Sequence, residues 1–355
     1  MSSSRHPAAT LESARPDTTT PDLVVLQSFP EPRPTTNPYI VMLRDSLVGT
    51  DGVEVLPFSW RTALRGRYDV FHAHWPEILV DGGTPLRRLA RQALTLAFAL
   101  RLRLTRTPIV RTVHNLDLPQ GISWRARVLL RLLDRWTTLR IALNPWTPLG
   151  GDLTAVIPHG DYRTWFAPYS RSEAIPGRIG YVGLIRRYKG VEQLTSAFSA
   201  TRETHAGLSL VIGGNPSGPE LAEELRRHAE GDERIALELG FLPDERLVAI
   251  VTSSELVVLP YRLMHNSGTV LAALSLGRPV LVPDNDVNRA LAREVGPGWV
   301  HLFPGDLTPE SLLAAVDAVR SGERSPEPDL SRRGWSRTGA DHLAAYRRAL
   351  ASEKK

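Results

Sequence analysis

The sequence predicts an α/β fold made of two doubly wound parallel sheets that face each other across a cleft. Its strand-like runs are continuous stretches of Val, Ile and Leu rather than alternating patterns, which is typical of parallel strands covered on both faces. Helical segments separate these runs. The series is interrupted once, by the polar segment 161–177, and 355 residues exceed one ordinary core. Two domains joined by one linker follow from these observations.

The first series of strands and helices occupies the chain before that interruption. Its helices are NPYIVMLRDSL, beginning at Asn37, and two Arg-rich, Leu-rich stretches at 85–108 and 124–136. We predict strands in the runs 23–29, 69–75, 108–115, 140–143 and 154–160.

The second series restarts after residue 177. Helices are predicted to begin at Gly190, Pro219, Asp244 and Ser267. The strand-like runs between them are 178–185, 208–214, 235–241, 256–261 and 278–283. Because doubly wound sheets bind ligands at the carboxyl ends of their strands, we expect the site in the cleft between the domains.

Charge is distributed unevenly along the chain. The net charge is +5, but residues 60–170 carry 16 Arg and 7 acidic residues, a local charge of +9 that leaves −4 elsewhere. This asymmetry indicates an anionic partner on one face.

The chain has no Cys, which excludes disulfides, thiolate metal sites and a Cys nucleophile, and suits a cytosolic protein. Residues 1–20 are interpreted as a disordered tail, and no apolar run is long enough to span a membrane.

Several segments resemble one known family. In chain order they are DVFHAHW, VRTVHN, VIPHGDY, GYVGLIRRYKGVEQLTSAF, GFLPDERL and SGTVLAALSLGRPV. Together they resemble the GT-B glycosyltransferases, closest to glycosyltransferase family 4, over most of residues 21–350. No single motif is specific, but their order is. The resemblance implies two Rossmann-like domains, an acceptor-binding domain at 21–170 and a nucleotide-sugar-binding domain at 171–330. A helix within 331–355 would then cross back to the first domain.

The chain departs from the commonest pattern of that family at two places. In that pattern two glutamates lie eight residues apart, and this chain has Met264 and Ala272 at their positions. In that pattern an arginine usually follows the glycine that corresponds to Gly183, and this chain has Leu184 there. A subset of the family instead resembles this chain in having Arg186 and the Ser267-Gly268 pair. These differences leave the donor sugar and the stereochemistry open.

The resemblance implies a nucleotide-sugar donor, whose diphosphate leaving group is stabilised by cations and helix N-termini. Arg186 and Lys189 are the candidate catalytic cations, and Lys189 is the single lysine before the C-terminal pair. The alternatives are a solvated loop at 186–189, an ordinary helix cap at Ser267 and a plain tight turn at 213–214. The predicted donor-binding residues are Gly183, Gly213, Gly214, Phe241, Asn266, Ser267, Gly268 and Thr269.

On the acceptor side, His114 and Glu77 lie at or just after strand ends and are candidate catalytic residues, with Asp117 a further carboxylate. An inverting transfer needs such a base, whereas a retaining transfer does not. Of His72 and His74, we expect one to be structural. No cofactor and no metal are expected, because family 4 enzymes do not characteristically need one and no D-x-D motif is present.

These features favour a hexosyltransferase that moves a sugar from GDP-mannose or a UDP-sugar to a lipid-linked or free glycan, in polysaccharide or glycoconjugate assembly. The Arg-rich helices favour peripheral attachment to an anionic membrane, on its cytoplasmic face. A same-fold sugar-nucleotide epimerase and a non-catalytic basic binding protein are the alternatives. A nucleic-acid partner is not expected, since neither zinc-ligand spacing nor a helix-turn-helix pattern is present.

Overall fold

The computed structural model describes residues 22–353 except 34, 116, 117, 119, 120, 152 and 263. Its first domain contains a six-stranded parallel sheet in the order β2-β1-β3-β4-β5-β6. The strands are β1 (Leu23–Gln27), β2 (Val53–Leu56), β3 (Val70–Ala73), β4 (Ile109–Val113), β5 (Thr137–Ala142) and β6 (Thr154–Val156).

The second domain repeats this architecture, with the strand order β12-β11-β10-β7-β8-β9, again all parallel. The predicted α/β class with two doubly wound sheets is therefore confirmed. Its strands are β7 (Arg178–Val182), β8 (Ser209–Gly214), β9 (Ile235–Leu239), β10 (Leu256–Val258), β11 (Val280–Pro283) and β12 (Val300–Phe303).

Helices of the first domain cover both faces of its sheet. Asn37, Ser59, Thr84 and Ser123 cap four of them by accepting a hydrogen bond from a backbone N–H of the first turn. Neighbouring strand residues belong to different core clusters, as Val70 and Phe71 show, because side chains alternate between the two faces. The helices are α1 (Pro38–Val48), α2 (Trp60–Arg65), α3 (Glu77–Val80), α4 (Pro85–Leu104), α5 (Trp124–Arg135) and α6 (Arg163–Phe166).

The second domain has six helices in the described ranges, and the chain then returns to the first domain. Helix α13 (Trp335–Glu353) contacts α1, β4 and β5. Trp335 contributes to this junction, because its indole N–H donates to the carbonyl oxygen of Asp161 in the linker at 2.6 Å. The others are α7 (Val191–Ser199), α8 (Pro219–Ala229), α9 (Asp244–Ser253), α10 (Gly268–Ser275), α11 (Asp286–Val295) and α12 (Pro309–Ser321).

In the part of the chain that the structure describes, no helix combines the length and the apolar character needed to cross a bilayer. The N-terminal segment 1–20, predicted to be a disordered tail, lies outside the described residues.

Candidate active-site cleft

The loops that follow β4, β5 and β10 meet between the two domains. Asn144 Nδ2 donates to Asn266 Oδ1 at 2.8 Å, and Asn266 Nδ2 donates to the carbonyl oxygen of His114 at 3.3 Å. Thr147 Oγ1 lies 2.7 Å from His265 Nε2. We call Asn144, Thr147, His265 and Asn266 the interdomain latch. It shows that the carboxyl ends of both sheets face one cleft, and that the Asn266 side chain joins the two domains.

Arg186 and Lys189 lie on the loop after β7, and Lys189 lies beside helix α10 of the second domain. Arg186 Nη1 donates to the carbonyl oxygens of Ile185 and Asn215 at 2.8 and 3.0 Å. Lys189 Nζ donates to Tyr261 Oη at 3.0 Å and lies 4.6 Å from the centre of that ring. Neither cation forms an ion pair with a described residue, whereas the adjacent Arg187 pairs with Glu224 at 3.1 Å. Two positive charges therefore remain available to an anionic ligand.

Glycines bring the two neighbouring loops of this site into contact. Gly183 and Gly214 have φ values of +121° and +155°, which other residues rarely adopt. A Cβ on Gly214 would collide with the carbonyl oxygen of Gly183. The missing Cβ of Gly183 would lie 3.4 Å from Thr269 Oγ1 and 3.9 Å from Lys189 Nζ, so the predicted residues Gly183, Lys189 and Thr269 share one small space.

Gly213 differs from these two glycines. A Cβ there would lie 2.7 Å from Ile250 Cδ1 and 3.1 Å from Leu242 Cδ2. Its missing side chain therefore faces the hydrophobic core against α9, and the structural alternative for this position gains support. Phe241 has the opposite environment, since 71% of its surface is exposed directly after β9.

The N-terminus of α10 contains both the predicted cap and a contact that the sequence did not reveal. Ser267 Oγ accepts a hydrogen bond from the N–H of Val270 at 3.4 Å. A Cβ on Gly268 would lie 2.9 Å from Tyr162 Oη and 3.7 Å from His159 Nε2. Gly268 thus permits close packing of the interdomain linker, independently of any phosphate.

A cluster of histidines lies in the first domain, next to the latch. Both ring nitrogens of His72 are hydrogen-bonded within the protein, to Tyr346 Oη and Thr112 Oγ1 at 2.8 Å each, so His72 is a structural histidine. His74 Nε2 lies 3.1 Å from Gln27 Oε1, and its Nδ1 lies 3.4 Å from His114 Nε2. The His114 ring stacks on Trp75 with centroids 4.0 Å apart. This packing orients His114 beside the latch.

Burial shifts the pKa values of the two candidate catalytic residues of the first domain, His114 and Glu77, in opposite directions. Burial, with the nearby His159 and Arg111, lowers the pKa of His114 to about 3, so its imidazole is neutral. Burial raises the pKa of the Glu77 carboxyl, and a backbone hydrogen bond and the charge of Arg111 oppose that rise. Glu77 begins α3, two residues after Trp75. At neutral pH its carboxylate is therefore the stronger proton acceptor of the two.

A groove of about 960 Å³ adjoins the latch without containing the cationic loop. It lies between β6, α11 and α13 and is bordered by Asn144, His265, Asn266 and Ser267. Gly183, Arg186, Lys189 and Phe241 do not line it. We assign the candidate donor site to the cationic loop because the free charges and the close-packed glycines lie there.

Sequence reasoning missed Tyr261, Tyr162 and Asn144, which contact the predicted residues directly. Tyr261 ends the run ELVVLPY, and its place at a strand end was the available signal.

The candidate carboxylate Asp117 lies outside the described residues. Within the described ranges, no three His, Asp or Glu side chains are grouped to hold a metal ion; the expectation of metal-independent transfer stays a prediction.

Comparison with known proteins agrees with this architecture. Residues 176–320 match the family model described as glycosyl transferases group 1. The chain is 44% identical over 333 residues to a GDP-mannose:glycolipid 4-beta-D-mannosyltransferase of Xanthomonas campestris pv. campestris, covering 94% of each chain. It also resembles the structure of sucrose-phosphate synthase from Thermosynechococcus elongatus, with a TM-score of 0.63, 14% identity, and coverage of 93% of this chain and 99% of that one.

A third similarity bears on the alternative of an epimerase. A putative UDP-N-acetylglucosamine 2-epimerase from Listeria monocytogenes shares the fold, with a TM-score of 0.54, 13% identity, and coverage of 93% of this chain and 97% of that one. Fold likeness alone does not separate the two activities. The 44% identity over nearly the whole chain separates them, because the relative that shares it is a transferase. The chain therefore belongs to the group 1 glycosyl transferases, and it is a hexosyltransferase of GT-B architecture resembling family 4.

Proposed function

We propose that this enzyme transfers mannose from GDP-mannose to a glycolipid acceptor. The observation that carries the proposal is the end-to-end match, at 44% identity, to a relative whose name states that donor and that acceptor class. The free cations of the cleft support it, since a nucleoside diphosphate leaving group needs positive charge beside it.

The donor's diphosphate is proposed to lie between Arg186, Lys189 and the N-terminus of α10. Lys189 and Thr269, the latter in the first turn of α10, lie next to Gly183, and Arg186 lies on the same loop with Nη1 at the carbonyl oxygens of Ile185 and Asn215. Backbone N–H groups at a helix N-terminus attract anions, and the two cations stabilise the charge that grows as the glycosidic bond breaks. The exposed ring of Phe241 offers a surface on which the nucleotide base of the donor can lie.

The acceptor hydroxyl is proposed to lose its proton to Glu77. GDP-mannose is an α-glycoside, so a β-linked product, as in the relative's name, requires inversion and a protein base. The raised pKa of Glu77 suits that role, whereas His114 is too weak a base at neutral pH. His114 instead offers a neutral, oriented imidazole for hydrogen bonding to a sugar.

A membrane surface on the first domain is proposed to bring the enzyme to its lipid-linked acceptor. Leu86, Leu89, Leu96 and Leu100 of α4 recur every three to seven residues and are all exposed, Leu86 by 78%. Trp124 and Val128 of α5 add exposed apolar area, and we call these six residues the α4–α5 surface. Arg87, Arg88 and Arg103 are exposed at the two ends of α4.

This combination of exposed leucines and flanking arginines fits an anionic bilayer, into which the leucines insert shallowly while the arginines contact headgroups. The cytoplasmic leaflet is the membrane face with that charge. The exposed leucines are not the residues by which α4 packs on the sheet, since the helix buries a different set, Gln92, Thr95, Phe98, Ala99 and Leu102.

The test is a panel of GDP- and UDP-sugars incubated with purified enzyme and a glycolipid acceptor, with and without EDTA. We expect transfer of mannose from GDP-mannose, a β-linked product, and no effect of the chelator. A Lys189→Ala variant serves as the negative control. Acceptor-independent conversion of a UDP-sugar into its epimer would overturn the proposal, as would transfer restricted to UDP-sugars.

A further inference from the structure

We propose that Tyr261 is a positioning residue for the transfer reaction, which holds the Lys189 ammonium group at the donor phosphates without neutralising its charge. This inference rests on the proposed role of Lys189 in donor binding. It adds a residue from the loop after β10 to the machinery on the loop after β7.

Tyr261 forms the centre of a short hydrogen-bonded chain. Its hydroxyl oxygen accepts from Lys189 Nζ at 3.0 Å, and the same hydroxyl donates to Thr269 Oγ1 at 3.4 Å. The phenol ring is 5% exposed and lies 4.6 Å from the ammonium nitrogen. The hydrogen-bonded chain therefore connects the loop after β7, the loop after β10 and the first turn of α10.

The backbone around Tyr261 sets this geometry. The N–H of Arg262 donates to the carbonyl oxygen of Tyr188 at 2.9 Å. Gly190 has a φ of +63°, and a Cβ there would collide with the carbonyl oxygen of Pro260. Residues 187–190 thus lie directly on residues 260–262, so the backbones that carry the two side chains are held side by side.

A tyrosine is suited to this task because of how lysine behaves. A lysine side chain is flexible, and ordering it costs up to about 2 kcal/mol. A carboxylate partner would order it but would also offset its charge before the diphosphate arrives. A neutral hydroxyl and the negative face of an aromatic ring order the ammonium group while leaving its full charge for the ligand.

The decisive experiment is a double-mutant cycle with Tyr261→Phe and Lys189→Ala, read as kcat and as affinity for GDP. Tyr261→Phe keeps the ring and removes the hydroxyl. We expect it to lower kcat about 10-fold or more, since hydrogen bonds to charged groups typically contribute that much. In the Lys189→Ala background, the same change should alter kcat by less than about twofold, because its effect passes through Lys189.

Matched controls separate positioning from general stability. Tyr68→Phe loses a comparable hydrogen bond, to the carbonyl oxygen of Ala63 at 2.6 Å in the first domain, and should leave kcat unchanged. Thermal unfolding of every variant accompanies the kinetics. Should Tyr261→Phe prove unstable, Thr269→Val interrupts the other end of the chain and should show the same dependence on Lys189.

The outcomes are distinguishable. An equal loss from Tyr261→Phe in both backgrounds would show a structural role and overturn the inference. A normal Tyr261→Phe enzyme beside an impaired Lys189→Ala enzyme would overturn only this inference. A fully active Lys189→Ala enzyme would overturn the donor-site proposal as well.

Discussion

Arg186, Arg187 and Lys189 share one short loop but differ in their contacts. Arg186 and Lys189 have no acidic partner among the described residues, while Arg187 pairs with Glu224 on the surface. We predict that Arg186→Ala and Lys189→Ala each lower kcat/KM by about 10²–10³, the usual effect of removing one group that stabilises transition-state charge. Arg187→Ala, measured in the same transfer assay, should stay within about twofold. Equal effects at all three positions would contradict this assignment.

Gly268 is tested best together with Tyr162, because a Cβ on the glycine points at the tyrosine hydroxyl 2.9 Å away. We expect Gly268→Ala to weaken GDP binding by displacing the first turn of α10. Adding Tyr162→Phe should restore much of the affinity, since it removes the atom that the new methyl group meets. Titration calorimetry on the two single variants and the double variant measures this. Absence of any restoration would show that the methyl group obstructs the phosphate itself.

Glu77 should determine the acid limb of the pH–rate profile. Burial raises its pKa, and a general base is active only when deprotonated. Transfer should therefore decline, as pH falls, at a higher pH than the value of about 4.3 for an ordinary glutamate would require. Glu77→Gln should lower kcat and abolish this limb while the KM for the donor changes little.

Asp81→Asn is the control for Glu77, because Asp81 is an exposed carboxylate that pairs with Arg88 at 3.6 Å. Its pH profile should match that of the unmodified enzyme. An unchanged acid limb in Glu77→Gln would assign the base elsewhere.

Helix α4 has one buried face and one exposed face, and its arginines differ in the contacts that they make. Arg101 donates to the carbonyl oxygens of Ala63 and Gly66 and lies over the Tyr68 ring, so it is structural. Arg91 donates to the carbonyl oxygen of Asp81 at 2.7 Å. Arg87 and Arg103 are exposed without an acidic partner among the described residues, and Arg88 is exposed while it pairs with Asp81, so these three are the arginines proposed to contact lipid headgroups.

We predict that the enzyme co-sediments with vesicles containing phosphatidylglycerol but not with neutral ones, and that about 0.5 M salt releases most of it. Replacing Arg87, Arg88 and Arg103 with Gln should weaken binding, since each arginine contributes about 1 kcal/mol near the surface. Replacing Leu86, Leu89, Leu96 and Leu100 with Ser should weaken it further. Turnover of a soluble acceptor analogue should change little in both variants. Equal binding to neutral and anionic vesicles would contradict the charge-driven model.

The junction between the two domains contains buried, neutral histidines that make the fold sensitive to acid. Burial lowers the pKa of His114 to about 3 and those of His159 and His342 to about 4, and it holds those of His72 and His74 well below their usual range. Above pH 6.5 these groups are neutral whether the chain is folded or unfolded. Below pH 6.5 the unfolded chain binds protons that the folded chain cannot, so folding stability must fall with pH.

We therefore predict that the free energy of unfolding decreases from pH 6.5 towards pH 4, by up to about 1.4 kcal/mol per pH unit for each buried histidine. Urea unfolding at a series of pH values measures this. His342→Gln should flatten the slope, because it removes one of the buried groups that titrate. His342 Nε2 has no hydrogen-bond partner among the described residues, so the substitution breaks no hydrogen bond at that atom. His205→Gln, at an exposed position, should leave the slope unchanged. Constant stability from pH 7.5 to pH 5 would contradict the prediction.

Hydrophobic continuity was sufficient to predict ten of the twelve described strands, including the outer strands β6 and β9, but it did not reveal β2 and β12. Both are outer strands of four residues that are only partly buried, so neither forms the long apolar run that identifies a strand covered on both faces. Their absence from the prediction did not affect the fold class, because that class depends on the alternation of strands with helices. It did hide the full width of each sheet.

Local pattern thus determined ten of the strands, the helices between them, the loops after β4, β7 and β10, and the cationic residues on the loop after β7. Each of these depends on neighbours within a few positions along the chain. The partners of those residues depend on which loops meet in space. Lys189 contacts Tyr261, 72 residues away, and Asn266 contacts His114, 152 residues away. Such contacts arise only when two sheets pack with their carboxyl ends together, which is why the positioning tyrosine, the latch and the exposed leucines of α4 became visible only in the folded molecule.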